Sequence, residues 1–308
     1  MNRLSRERLF GTRTVWLWAL FCCALWGSAF PCIKIGYRLF AVAGNNTAAQ
    51  ILFAGCRFAL AGVLVILAGS LLQKRVLLPR RAAWKPIAVL ALFQTALQYF
   101  FFYIGLAHTG GVNSSIISGA NACVTILVAC FLFRTERFTL AKLWGCVLGF
   151  GGVLLLNLSG GQWHFALNGE GFVLLSTVAS AISAVLIKRF SAKNDPVMLS
   201  GWQFFFGGLT LAACGWLLGG RLAITAGGVG LLLYLAFLSA TAYTLWGLLL
   251  QYNAVSSVSV YKCAIPLFGT ALSAWWLGEA GTLLQWQTPL ALVLVIGGVL
   301  AVQPRKQK

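Results

Sequence analysis

The chain reads as an all-α polytopic membrane protein. Of its 308 residues 60% are hydrophobic and only 9% are charged, with a mean hydropathy of +0.87, whereas a soluble domain carries about 25% charged residues. Apolar stretches of around 20 residues recur along it, the length a helix needs to cross roughly 30 Å of hydrocarbon. These stretches lack the period-two alternation of a membrane barrel strand. Ten spans are predicted, near residues 15–37, 47–70, 85–107, 112–133, 138–158, 167–188, 197–219, 229–252, 256–278 and 285–303. The first is too long for a cleaved signal and contains Pro31, so it reads as a span. The connections are short, and none has the length of a soluble domain.

The charges orient these spans. The net charge of +18 does not imply nucleic acid, because 18 of the 23 Lys and Arg residues fall in connections on one side, from Arg3 through Lys74, Arg137 and Lys193 to Lys308. Arg38 and Arg221 alone fall on the other. By the positive-inside rule both termini are cytoplasmic, the protein sits in the inner membrane, and the number of crossings is even. All nine cysteines lie within spans, where a thiol acts as a small hydrophobe, and no paired Cys-x-x-Cys spacing occurs.

The chain also repeats weakly. Gly55 and Gly62 recur as Gly201 and Gly208, Thr95-Ala96 as Thr241-Ala242, and Gly151-Gly152 as Gly297-Gly298, each pair 146 residues apart. The stretch ending at Glu136 is similar to the one ending at Glu279, and the stretch ending at Lys34 to the one ending at Lys188. Five spans per half is an odd number, so the second half must enter the membrane from the opposite side. Two inverted five-helix repeats, residues 1–160 and 161–308, are therefore expected, an arrangement typical of secondary transporters that bind substrate near the midplane.

On these residues the chain resembles the EamA-type transporters of the drug/metabolite transporter superfamily. The segment Trp26-Gly27-Ser28-Ala29-Phe30-Pro31, with Lys34 one turn on, is similar to that family's first-span signature. Arg57-Phe58 matches its second-span pair, and Leu277-Gly278-Glu279 its ninth-span ending; the first-half counterpart of that ending is altered to Arg134-Thr135-Glu136. The resemblance implies ten helices, two inverted repeats and efflux of small metabolites, often amino acids. One departure stands out. The proline matching Pro266 is missing from span four, which has Cys123 there, so any hinge has to use other residues such as Gly119 and Asn121.

Three cations inside spans point to function, since a charge at membrane depth costs roughly 2.5–3.5 kcal/mol on insertion scales. Lys34 either lines an outer cavity or snorkels to the interface. Arg57 is too deep to snorkel easily. Its guanidinium either caps helix carbonyls, which is the favoured reading, or lines the path. Lys262, one turn before Pro266, is read as path-lining. Gln94 and Gln98 share a helical face by i, i+4 spacing, with Thr95 and Tyr99 beside them. Ser114, Ser118 and Asn121 form a stripe in span four. Amides are costly to bury unpaired, so Gln98 and Asn121 are read as cavity-lining, whereas the stripe Ser176, Ser180 and Ser183 suits helix packing. Trp26 and Trp246 are deep enough to touch substrate, while Trp84, Trp163 and Trp286 suit an interfacial belt. The candidate substrate-binding set is Trp26, Lys34, Arg57, Gln94, Gln98, Tyr99, Ser118, Asn121, Tyr243, Trp246, Tyr261 and Lys262.

The five acids, Glu7, Glu136, Glu170, Asp195 and Glu279, all fall at or beyond span ends. No central carboxylate is available for a proton relay, so facilitated efflux, exchange or coupling that does not use a central acid is expected. Glu136 and Glu279 are read as starting the following helix or pairing with nearby cations. No nucleophile–base arrangement, metal-ligand spacing or Walker sequence occurs, and His108 and His164 sit at outer loops. No enzyme activity, cofactor or metal is expected. The predicted partners are a small-molecule substrate and the lipid bilayer, not nucleic acid; monomer and homodimer both remain open. Export of amino acids or related carboxylates by alternating access is the leading expectation. Exchange of sugar phosphates or nucleotide sugars is the alternative in transport, and a membrane lipid enzyme or scaffold the alternative outside it.

Overall fold

A computed structural model describes residues 7, 9–108, 117–156, 166–277 and 287–303. These residues are helical throughout, joined by short turns. Six helices are long and apolar enough to cross a membrane, and four shorter apolar helices accompany them. In chain order the rods are α1 (Val15–Leu39), α2 (Thr47–Gln73), α3 (Trp84–Leu90 running on through Ala91–Leu97 into Gln98–His108) and α4 (Asn121–Leu127 continuing to Leu132). Next come α5 (Leu140–Leu156), α6 (Leu167–Gly171 leading into Phe172–Ser191), α7 (Pro196–Leu217) and α8 (Ala226–Tyr252). The last are α9 (Val255–Ser259, Val260–Ala264 and Ile265–Leu277) and α10 (Gln287–Val302).

Local chemistry sets several helix starts. Asn46 Oδ1 accepts from Ala49 N at 2.9 Å, Asp195 Oδ1 from Val197 N at 3.1 Å, and Thr225 Oγ1 from Gly228 N at 3.1 Å. Each side chain satisfies an amide that the first helical turn leaves unpaired. Pro196 opens α7, where its missing N–H costs nothing.

Four rods depart from regular α geometry. The i→i+5 turns at Ala91–Leu97, Val128–Leu132 and Leu167–Gly171 widen α3, α4 and α6, and a tighter 3₁₀ stretch at Val260–Ala264 interrupts α9 just before Pro266. Such local rewinding is common where a helix serves a site. The break in α4 falls at Ala120, between helical residues 117–119 and Asn121. The predicted start of span four, including Asn113, Ser114 and Ser115, lies outside the described residues, as do Trp163, His164, Glu279 and Trp286.

Two pairs of rods pack most closely. Along α2 and α7 a methyl added to Gly55 would lie 2.2 Å from Ala212 N, and one on Gly208 would lie 2.2 Å from Ala59 N. Added methyls on Gly62 and Gly215 would lie 2.4 Å from Phe205 N and Leu52 N. The partner number falls as the glycine number rises, so the two rods run antiparallel. Their backbones touch because no Cβ stands between them. α5 and α10 meet the same way, with Gly298 against Gly149 and Gly152 against Val295.

The remaining pairings have a regular pattern. α1 packs on α8 and α9, and α6 packs on α3 and α4; α2 packs on α8, and α7 on α3. Moving every label by five converts the first pairing of each set into the second and leaves α2–α7 and α5–α10 unchanged. The same holds for single contacts: shifting Gly62–Phe205 by 146 in opposite senses yields Gly208–Ala59.

Candidate functional site

An aromatic and basic cluster occupies the middle of the bundle. Trp26 lies eleven residues into α1, about 16 Å along it at 1.5 Å per residue, which is half the thickness of the hydrocarbon core. Gly27 makes this depth reachable for α9, since a methyl there would lie 2.6 Å from Phe268 Cβ. The Trp26 ring lies edge-on to Tyr243 at 5.0 Å and to Trp246 at 4.9 Å between centroids. Its indole Nε1 is buried without a hydrogen-bond partner, although a buried indole N–H ordinarily finds one.

Lys262 joins this cluster from α9. Its Nζ donates to Asn121 Oδ1 at 2.7 Å and stands 5.7 Å from the Trp246 ring centroid, within cation–π range. Asn121 Nδ2 reaches Thr177 O at 3.4 Å. The Lys262–Asn121 bond thus ties α9 to α4, and Asn121 continues the tie to α6. Tyr99, Tyr243 and Lys262 are half-buried.

Arg57 is 3% exposed and lies about 15 Å from the start of α2. Its Nε donates to Ser239 Oγ at 2.9 Å, and its guanidinium carbon lies 4.9 Å from the Phe58 centroid. Among the described residues the favoured cap on helix carbonyls is not found. Ser239 spends its own proton on Leu235 O at 2.8 Å, which leaves its oxygen free to accept from Arg57. Four tyrosines, Tyr37, Tyr99, Tyr103 and Tyr243, lie in the neighbourhood of the guanidinium, and the ring centroids of Tyr99 and Tyr243 stand 4.4 and 6.4 Å from that of Phe58. The hydroxyls of Tyr99 and Tyr243 are hydrogen-bonded to each other, and Tyr37 faces Tyr103.

The structure brings Trp26, Arg57, Gln98, Tyr99, Asn121, Tyr243, Trp246 and Lys262 into one region. Gln98 reaches toward Tyr243, with its Oε1 buried and unpartnered. Gln94 and Gln98 lie on or beside the widened Ala91–Leu97 turn. Gln94 is buried, and its neighbour Thr95 donates to Gln203 Oε1 at 2.9 Å. Tyr261 is buried in the apolar core, its carbonyl accepting from Cys23 Sγ at 3.2 Å. Lys34 is exposed and Ser118 half-buried. Ser176, Ser180 and Ser183 are buried between helices. Sequence reading missed Tyr37, Tyr103 and Ser239. The i, i+4 spacing of Tyr99 and Tyr103 was a usable signal for one of them; nothing in the spacing marks the other two.

A second polar cluster lies at the end of the bundle that carries the α4–α5 and α8–α9 connections. Glu136 Oε1 accepts from Val255 N at 2.6 Å and from Ser256 N at 3.4 Å, and Oε2 accepts from the Ser256 hydroxyl. Lys142 Nζ lies 2.8 Å from the same carboxylate. Glu136 therefore pairs with a nearby cation, as expected, but the helix it caps is the distant α9, not α5. Lys188 Nζ donates to Leu250 O at 3.2 Å and to Asn253 O, and Asn253 Nδ2 donates to Phe10 O at 2.7 Å. Burial alone would push the Glu136 carboxyl up. The hydrogen bonds from Lys142 and Ser256 outweigh it and hold the group below the usual carboxylate range.

The profile of the EamA-like transporter family matches the chain twice, over residues 13–158 and 167–302. The chain belongs to the EamA-like transporter family. Relatives of this EamA-like protein carry transporter names. "Uncharacterized transporter sll0355" of Synechocystis is 28% identical over 92% of this chain and 88% of its own. "Uncharacterized transporter YvbV" of Bacillus subtilis is 28% identical over 96% and 91%. The "Probable terminal-alkyne amino-acid exporter" of Streptantibioticus cattleyicolor is 25% identical over 94% and 93%. A solved crystal structure shares the fold with a TM-score of 0.76 at 18% identity, covering 94% of this chain and 96% of that one. The EamA-like chain is thus a multi-pass membrane transporter.

Proposed function

We propose that this protein exports small organic metabolites, amino acids or related carboxylates, across the inner membrane by alternating access between two inverted five-helix repeats. The observation that carries the reading is the midplane cluster itself: the Trp26–Tyr243–Trp246 cup, with Lys262 and Arg57 beside it, drawn from helices of both halves. Cations without acidic partners at that depth favour an anionic or zwitterionic solute over a cation. The five-position recurrence of helix pairings and the double family match support the two-repeat reading. The charge asymmetry supports both termini in the cytoplasm and an even number of crossings.

In this reading the closed end is the cytoplasmic one. Glu136 of the first half clamps α9 of the second, and Asn253 of the second holds Phe10 of the first. Export requires these links to open so that substrate can enter from inside. With no carboxylate at the centre, transport is facilitated efflux, exchange or coupling that does not use a central acid.

The test is counterflow in proteoliposomes preloaded with unlabelled solute. Accumulation of labelled amino acids, with none of labelled sugar phosphates, is the expected result. Accumulation of sugar phosphates alone would replace this reading with the exchanger, and no accumulation of either class would refute it.

A further inference from the structure

Arg57 carries a positive charge that the fold leaves largely uncommitted. Among the described residues its guanidinium makes one hydrogen bond, Nε to Ser239, and no carboxylate pairs with it. The two terminal nitrogens, with four N–H groups, have no hydrogen-bond partner there. An uncompensated buried cation is expensive. A structural anchor would be expected to spend those donors on backbone carbonyls. Instead the side chain is held at one corner by Ser239 and braced by the Phe58 ring, on which Tyr99 and Tyr243 pack at 4.4 and 6.4 Å.

Lys262 is differently placed. Its ammonium already donates to Asn121 and stands near Trp246, so it is engaged before any ligand arrives. Arg57 is the cation with donors to offer. A planar fork of parallel N–H groups matches a carboxylate bidentately. Neutral phenols around it add donors without adding charge, which suits a single negative charge better than a phosphate dianion. Tyr99 is hydrogen-bonded to Tyr243, whose ring is part of the Trp26 cup, so one ligand can touch both.

We propose that Arg57 is the anchor for the substrate's carboxylate, and that the Tyr99–Tyr243 hydroxyl pair beside it sets the preference for an acid over a neutral analogue. This rests on the export reading and assigns its anion subsite. The apolar remainder of the ligand then lies against Trp26 and Trp246.

The experiment compares an acid with its own amide. Labelled L-leucine and L-leucinamide are offered to the full-length protein in proteoliposomes, as wild type and as Arg57→Gln, Tyr99→Phe and Ser239→Ala variants, each checked for a monodisperse, cooperatively melting sample. Wild type is expected to prefer the acid. Arg57→Gln should raise KM for leucine about ten- to hundredfold, the loss of a charge-assisted hydrogen-bonded pair, and leave leucinamide almost unaffected. Tyr99→Phe should narrow the preference in the same sense, and Ser239→Ala should change it little. Ser239→Ala reproducing the Arg57→Gln effect on both probes would make Arg57 a structural anchor and overturn the assignment. An unchanged acid-to-amide ratio in Arg57→Gln would overturn it too, as would wild type carrying both probes equally, although the protein would remain an exporter. Transport of neither probe would remove the export reading and this subsite together. Should Arg57→Gln fail to fold, Arg57→Lys keeps the charge but not the fork and is expected to raise KM for leucine selectively; an unaltered KM there would count against bidentate binding.

Discussion

The cations in the centre of this protein differ in what they are free to do. Lys262 is committed to Asn121 and Trp246, which ties α9 to α4, whereas Arg57 is held only at its Nε. The two should therefore fail differently. Lys262→Gln is expected to slow transport of acids and amides by a similar factor, about tenfold, because it loosens the Trp246 side of the cup without touching the carboxylate subsite. Initial counterflow rates for both probes check this; a selective loss of the acid would move the anion site to Lys262. The Trp26 Nε1, buried without a partner, is the natural donor for a polar group of the solute. Trp26→Phe keeps the ring contacts and removes that donor, and it should weaken binding by about 1–3 kcal/mol if the indole N–H bonds the ligand. Ligand-induced shifts in melting temperature measure it.

At the scale of helices, glycine placement decides how closely α2 and α7 approach. Gly62→Ala would press a methyl to 2.4 Å from Phe205 N, a backbone atom that cannot swing away. A cost of about 1–3 kcal/mol is expected from such overpacking. Gly230→Ala in α8 meets nothing within 4 Å and should stabilise the helix by about 0.5–1 kcal/mol. Thermal melting in detergent distinguishes the pair, and equal effects would disprove the close-packing account. The Glu136 cap on α9 adds a pH dependence. Its folded-state pKa is below the ordinary carboxylate value, so the unfolded state binds its proton more readily. The stabilisation is present above the ordinary carboxylate range and is lost as pH falls through the folded value. The gap in melting temperature between wild type and Glu136→Gln should close as the solution becomes acid, and a gap that widens there would contradict it.

For the molecule as a whole, orientation is the open prediction. Ile224, 83% exposed in the α7–α8 connection, is expected outside, and Val76, 71% exposed in the α2–α3 connection, inside. In a cysteine-free background Ile224→Cys should react with an impermeant maleimide on intact cells and Val76→Cys only after permeabilisation. The reverse pattern would invert the topology and make the Glu136–Asn253 closure an outer gate.

The class, the positions of the apolar rods and the family were legible in the chain itself, because each follows from one segment alone. A stretch of about 20 apolar residues is stable in hydrocarbon whatever its neighbours do, and the Trp26–Lys34 and Arg57-Phe58 motifs are local strings. The rods end within a few residues of the expected positions for the same reason. What surrounds Arg57 was not legible. Tyr37, Tyr103 and Ser239 come from α1, α3 and α8, and which face each presents depends on backbone contact at particular glycines and on turns wider or tighter than the regular 3.6 residues. Hydropathy is nearly blind to rotation about a helix that is apolar all round. Only packing, which adds the constraints of several rods at once, could put four phenols in the neighbourhood of one guanidinium.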